Sequence, residues 1–545
     1  MHILGMVYHI PLGLTFGWFV LLTGLGLVAH AVARPRKLLV QLPGPPPAGW
    51  IKGHFASLVG SGSIAFQEKI IVEYGSTLKL NGGFGEEFIF TTDPSAMYSV
   101  LVKERPKFER PLGSLLLIRS ILGGGLLAKG GDEHRMHRKI LNPVFTMKFL
   151  RELVIMPIFM GISKQTCHGI KKELQASKSS SKEVDIFYWT TVAALELVGE
   201  AGLGYSFSSF TGERNEYNIA IKSVFYEYRR VFTKIVPFMT LIPFLYRIGT
   251  PSFRQWILQH IPHRDLQRLR YAVGIQNLQA EEVLRTREAL ISSGEDLSSQ
   301  AGRGRDIVTL LMKAGEKEGS AFHVDHQEMI GHMNTFIFAG HETTSSAVAR
   351  ILDILADRPH IQMQLREEIR QYFENNSKDT NYDGLLQLPY LDGVDTQTQP
   401  ISCEEDTVLP LQHPLETSSG NLTSIPITKG TRVFMSISVS NRDERTWGEQ
   451  ASQFMPERWI GSKIDEITQP GSHVPGIYSS MMSFGAGPRA CIGFKFAIME
   501  IKVMIAELVK DFKFEPSQEK YQWEVGGGTF ALLYVADLSL CGQDL

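Results

Sequence analysis

Apolar residues recur along this chain in three distinct patterns. The first is an unbroken run. Ile10 to Ala33 is a stretch of 24 residues without Lys, Arg, Asp or Glu. As a helix it can cross a bilayer, which takes roughly 20 apolar residues. Arg34, Arg36 and Lys37 follow at once, while Met1 to His9 holds no Lys or Arg. The positive-inside rule then puts everything after residue 33 on the cytoplasmic side. A cleaved signal peptide would carry its positive charge before the apolar run, so an uncleaved anchor over 1–33 is the better reading. The segment Leu42-Pro-Gly-Pro-Pro-Pro47 adds a stiff, non-helical connector, so 34–48 reads as a basic and proline-rich linker.

The second pattern is alternation. Ser76 to Asn81 and Glu87 to Thr91 read as short strands about a Gly82-Gly83 turn. Asp93-Pro94 supplies a helix cap followed by a proline at the first helical position. Ile425 to Val439 alternates about Lys429-Gly430, a hairpin signal, and Thr529 to Val535 reads as a late strand. Residues 110 to 131 are rich in Gly and Leu and read as irregular. Ser177 to Lys182 and Ser292 to Arg305 read as polar loops.

The third pattern is helical. Gly131 to Arg138 opens a helix on which His134 and Arg138, spaced i and i+4, share a face. Asp265 to Ile291 is long, charged and amphipathic. Asp325 and Glu328 form a capping-box pattern before a largely apolar helix that stops near Arg358-Pro359. Phe494 to Leu508 is helical in pattern. Phe225 to Phe244 is aromatic and aliphatic, which suits core, channel wall or membrane-dipping surface alike.

Composition changes this picture little. With 55 basic and 57 acidic side chains in 545 residues, no nucleic-acid footprint exists. Cys167, Cys403, Cys491 and Cys541 are widely spaced, which disfavours a disulfide framework or a structural zinc site. The glycine clusters at 123–125 and 526–528 lack the spacing of a dinucleotide fingerprint. His341-Glu342 evokes a zinc hydrolase, but Ser345 stands where the second histidine would be.

The chemistry gathers around Phe484-Gly-Ala-Gly-Pro-Arg-Ala-Cys-Ile-Gly493. Cys491 lies where a glycine-rich loop enters a helix. Backbone N–H groups and the helix dipole favour a thiolate there. Gly487 and Gly493 allow close backbone approaches. Arg489 offers a planar fork to a carboxylate, and Phe484 closes the other side. Taken alone, Cys491 would read as a structural cysteine beside a tight turn. A second constellation, Ala339-Gly340-His341-Glu342-Thr343-Thr344, interrupts the apolar helix after Asp325. Thr343 there could simply bond back to a carbonyl.

Phe484, Gly487, Arg489, Cys491 and Gly493 match every fixed position of the heme-binding signature of the cytochrome P450 family, and Ala497 and Glu500 continue it. The chain resembles membrane-anchored, microsomal members of fungal type. That resemblance covers nearly the whole chain. It implies a mainly α fold with a minor β-region over 49–545, preceded by one N-terminal transmembrane helix. It further implies heme b with Cys491 as axial thiolate to the iron, and Arg489, His134 and Arg138 on the propionates. His134 stands where the family usually has Trp. Ala339, Gly340, Glu342 and Thr343 resemble the oxygen-binding segment, with Thr343 and Glu342 relaying protons. The implied partners are an NADPH-cytochrome P450 reductase, cytochrome b5, O2 and an apolar small molecule. The implied location is the endoplasmic reticulum membrane, single-pass, with a cytoplasmic catalytic domain.

One family landmark is absent. After Leu388-Pro-Tyr-Leu-Asp392 a Glu-x-x-Arg helix should begin near Val394. The chain instead runs through Asp395-Thr-Gln-Thr-Gln-Pro-Ile-Ser402, polar and without period. Glu367-x-x-Arg370 has the spacing but belongs to the preceding helix. Phe454-Met-Pro-Glu457-Arg458-Trp459 matches the later motif whose arginine pairs with the missing helix. A skipped piece of an exon, a degenerate paralogue and a substitute segment are three accounts of this. The abrupt change of pattern favours the first. An inactive or heme-deficient protein of this family is accordingly the alternative to a monooxygenase.

Overall fold

The computed structural model describes residues 42–60, 62–152, 155–176, 181–210, 230–294, 306–315, 324–375, 399–417, 420–460, 473–518, 523–525, 533–535 and 539–544, with a few single positions besides. Apart from Gly24 and Gly26, the anchor over 1–33 lies outside the described residues, as does the linker up to residue 41. Among the described residues no helix is long and apolar enough to cross a membrane.

The longer helices are α1 Ser63–Tyr74, α2 Leu112–Leu122, α3 Gly131–Leu141, α4 Ile155–Ala176, α5 Ile186–Leu197, α6 Arg264–Ser292, α7 His326–Ala356, α8 Pro359–Asn375 and α9 Phe494–Asp511. The strands are β1 Thr77–Asn81, β2 Glu87–Thr91, β3 Phe108–Glu109, β4 Ser181–Asp185, β5 Gln399–Cys403, β6 Thr407–Thr417, β7 Gly420–Ile427, β8 Arg432–Met435, β9 Phe512–Glu515, β10 Trp523–Val525, β11 Leu533–Val535 and β12 Ser539–Asp544. The architecture is mainly helical with a small β-region, as the sequence pattern and the resemblance imply.

Helix α7 is the axis of the molecule and packs against α5, α6, α8 and α9. Its length is set by clear ends: the Asp325 side chain accepts from the Glu328 amide, and the helix stops one residue before Arg358-Pro359. The Glu328 carboxylate, the other member of the capping-box pattern, is held by the Asp325 backbone N–H and also binds Lys129. Val348, Ala349 and Leu352 of α7 meet Val503, Ala506 and Val509 of α9 in one solvent-free core that also takes in α4 and α5. Each fully buried Val or Leu there contributes about 1.5–3 kcal/mol.

The main sheet runs β1-β2-β8-β5-β3. β1 and β2 pair antiparallel as the alternation predicts, and Asp93 caps the Ala96 amide of the next turn with Pro94 at its first position. Three expectations are corrected. Residues 110 to 131 are not irregular throughout, since Leu112–Leu122 is a helix whose Leu115, Ile118, Ile121 and Leu122 are buried. Lys429-Gly430 is a turn but not a hairpin: β7 pairs with β6, while β8 lies parallel to β2 in another sheet. Local alternation specifies strands, and which strand each one joins is decided by the rest of the fold. Lys182 belongs to β4, which pairs with β12 at the far end of the chain, rather than to a loop.

The unpatterned segment also gains a role. Positions 391–398 lie outside the described residues, but β5 joins β8 to β3 antiparallel on both sides. Arg458 donates to the Gln450 carbonyl at 2.6 Å and makes no ion pair among the described residues.

Candidate active site

The cysteine loop leads directly into α9. Gly487 sits at φ +62°, and a Cβ there would lie 2.0 Å from the Leu101 carbonyl oxygen. Only glycine fits, so this position is fixed by the packing of the loop on residues 99–103. The Cys491 amide donates to the Phe484 carbonyl at 2.8 Å, which closes the loop. The thiol faces a cavity, so its surface is open to that space although it lies deep in the chain. Burial raises its pKa, and the Gly493 backbone N–H and the nearby Arg138 guanidinium oppose the rise. Gly493 has φ −92° and no atom closer than 3.6 Å to an added Cβ. Its glycine identity is therefore not required by the protein alone.

The cavity measures about 210 Å³. Cys491, Phe484, Gly493, Arg489, His134, Arg138, Ala339, Gly340 and Thr343 all line it, although they come from 360 residues of sequence. Gly487 and Glu342 do not line it. Leu126, Phe145, Val198 and Phe336 add an apolar stretch to the wall.

Cations crowd one end. Arg138 donates to the Ala490 carbonyl at 2.5 Å, tying α3 to the residue before the cysteine. Arg489 donates to Glu109 at 2.6 Å and to the Lys129 carbonyl at 3.0 Å. Burial and neighbouring arginines lower its pKa to about 10 despite Glu109. His134 is buried, and that burial with Arg489, Arg138 and Arg110 nearby lowers its pKa to about 3, so it is neutral and offers one N–H. The sequence reading missed two members of this group. Arg110 lines the cavity, and burial lowers its pKa to about 9. Glu109 holds Arg489. The signal available for both was an adjacent acid–base pair closing a strand just before the apolar stretch 112–122.

Three guanidinium groups thus face the cavity, and the Nε of Arg489 is buried without a hydrogen-bond partner. A dianionic group against this end would satisfy them, so the residues fit the two propionates of heme with Cys491 as the iron ligand.

The opposite wall is α7. The Thr343 hydroxyl donates to the Ala339 carbonyl at 2.6 Å, one turn back. His341 Nδ1 donates to the Ile337 carbonyl at 2.8 Å, and its Nε2 lies 3.6 Å from Glu342. A Cβ on Gly340 would come 2.5 Å from Val198 Cγ2, so this glycine is needed for the contact between α7 and the turn after α5. Glu500 is fully buried on α9 and lines the cavity; burial raises its pKa well above the carboxylate range against the pull of the Thr344 hydroxyl.

Comparison with known proteins agrees with this geometry. The family model for cytochrome P450 matches residues 43–533. Cytochrome P450 monooxygenase 91 of Postia placenta is 37% identical over 508 residues, covering 90% of both chains. Cytochrome P450 monooxygenase 81 of the same fungus is 34% identical, covering 90% of each chain. A ganoderic acid synthetase of Ganoderma lucidum is 32% identical over 516 residues, covering 91% of each. A cysteine loop at the head of a helix, a cationic end and a helix opposite that carries Ala339, Gly340 and Thr343 on the cavity make the same case, and the chain belongs to the cytochrome P450 family of heme-thiolate monooxygenases.

Proposed function

We propose that the protein inserts one atom of O2 into an apolar organic molecule. Electrons would come from an NADPH-cytochrome P450 reductase, with cytochrome b5 as a second donor. The observation that carries this reading is the shared cavity, walled by Cys491 on one side and by Ala339, Gly340 and Thr343 on the other. Cys491 would hold the iron as thiolate. Arg489, Arg138, Arg110 and neutral His134 would hold the propionates. Heme, when bound, supplies oxygen activation and transfer, which no side chain here can perform. The apolar wall of Leu126, Phe145, Val198 and Phe336 orients an apolar substrate and excludes bulk water. Thr343 keeps a hydroxyl proton at the cavity edge, and Glu342, next to it and outside the lining, is the group that replaces it. The run Ile10–Ala33 followed by Arg34, Arg36 and Lys37 supports a single-pass anchor in the endoplasmic reticulum membrane with the catalytic domain cytoplasmic.

The test is expression of the full chain with a reductase in membranes. A strongly red-shifted Soret band of the reduced, carbon-monoxide-bound protein is expected. NADPH-dependent oxidation should then appear in a screen that starts from precursors of ganoderic acid, taken from the name of the Ganoderma lucidum relative. Detectable protein without the band, or oxidation independent of NADPH and reductase, overturns the reading.

A second reading, a heme-deficient protein, is favoured by Arg458. It is half-buried, has one hydrogen bond and lacks a carboxylate among the described residues. The same spectrum decides between the two readings.

A further inference from the structure

Glu109 meets four donors at once. Its Oε1 accepts from Arg489 Nη2 at 2.6 Å, from Arg105 Nη2 at 3.2 Å and from the Arg110 amide at 2.8 Å. Its Oε2 accepts from the Gly131 amide at 2.8 Å. Gly131 opens α3, so this amide is one of the first-turn donors that have no partner inside a helix. A carboxylate is also the favoured charge at that end of the helix.

These four donors lead to every residue at the cationic end of the cavity. Arg489 is bound directly. Arg110 follows Glu109 in the chain. His134 and Arg138 ride on α3, whose first turn Glu109 holds. Glu109 itself is fixed because β3 pairs with β5, with Glu109 opposite Ser402. Burial alone would raise its pKa, but Arg489, the two amides and Arg105 together hold it below the usual carboxylate range, so it is charged at neutral pH.

We propose that Glu109 is the positioning residue of this cationic end, setting Arg489, Arg110 and α3 in register to receive the heme propionates. It rests on the heme reading above and goes beyond it, since it assigns a role to a side chain outside the cavity lining. A charged carboxylate one residue from the propionate contacts has two consequences. It fixes where the guanidinium groups point, and it offsets their excess positive charge at the heme edge.

The test compares the full-length wild type with Glu109→Gln, which keeps the shape and one acceptor oxygen but removes the charge. Two readouts are taken: the rate of heme transfer to excess apomyoglobin, and the ferric–ferrous potential by dye-coupled titration. Heme transfer from Glu109→Gln should be roughly 10–100-fold faster, as for removal of a partner just behind a ligand contact. The potential should rise, because a negative charge near the heme is lost and the added electron is better stabilised. Unchanged transfer and unchanged potential overturn the proposal. Slower transfer also overturns it, because Glu109 would then compete with the propionates rather than position their partners. If Glu109→Gln does not accumulate folded, Glu109→Asp is used. It keeps the charge but is one methylene too short to reach both Arg489 and Gly131, so transfer should still accelerate. Wild-type transfer and potential in that variant overturn the proposal as well. A wild type that takes up no heme defeats the function proposed above, whereas a heme-loaded wild type with indifferent Glu109 variants defeats this inference alone.

Discussion

The Nδ1 of His137 lies 3.1 Å from the Nε2 of His332, buried where α3 meets α7. The Leu126 amide donates to His332 Nδ1 at 3.3 Å, so the proton of neutral His332 sits on Nε2 and points at His137 Nδ1. His137 Nε2 then faces Glu328 at 3.5 Å. A proton added to His137 Nδ1 sets donor against donor across the shared side, and one added to His332 Nδ1 sets it against the Leu126 amide. Burial first, then His137 and Lys129, lowers the His332 pKa to about 3. Burial and Lys129 lower that of His137, with Glu328, Glu133 and Asp325 opposing.

This pair predicts acid sensitivity. The unfolded chain protonates His332 near the ordinary histidine value of 6.5, the folded chain only near 3. Between those values the unfolded state binds more protons, so stability is full above about 6.5 and declines as pH falls toward 3. His332→Asn should cost about 1–3 kcal/mol at neutral pH by leaving buried partners unsatisfied. The gap to wild type should narrow in mild acid, where only the wild type carries this penalty. Thermal unfolding of both proteins near pH 7 and near pH 5 checks this, and a constant gap would contradict it.

Cys491→Ser should abolish the red-shifted carbon-monoxide band while leaving the amount of folded protein unchanged, because the serine hydroxyl does not ionise to replace the thiolate. A retained band removes Cys491 as ligand.

Thr343→Ala removes the hydroxyl that donates to Ala339. Oxygen consumption should continue with less product per NADPH and more peroxide, and Thr343→Ser should restore coupling. Full coupling in the alanine variant would be incompatible with a proton role for Thr343.

Gly340→Ala places a Cβ 2.5 Å from Val198 Cγ2. Overpacking of this kind costs about 1–3 kcal/mol. A lower melting temperature is expected, and the double variant with Val198→Ala should recover most of it. No recovery would locate the strain elsewhere.

Arg458→Met is expected to be neutral or stabilising in thermal unfolding. Among the described residues its guanidinium has a single carbonyl partner and no compensating charge, and burial lowers its pKa. A loss of about 3–5 kcal/mol would mean that a carboxylate partner exists beyond the described residues.

Much of this protein was legible in its residues. Fixed spacing identified the cysteine loop, because Gly487, Arg489, Cys491 and Gly493 act within one loop and its helix. Helical periodicity gave α6, α7 and α9, and cap chemistry at Asp93 and Asp325 gave where their helices start. These are local properties, encoded by neighbours a few positions apart.

What tertiary structure decided was every relationship across long separations. Alternation showed that 425–439 holds strands but not that β7 joins β6 and β8 joins β2. Composition showed 395–402 as unpatterned, yet its end forms β5 and locks β3 in place. Above all, Glu109 lies 380 residues from Arg489 in sequence and 2.6 Å from it in space. No periodicity signals such a contact, because it is formed only when a sheet edge, a loop and a helix end close around the same cavity.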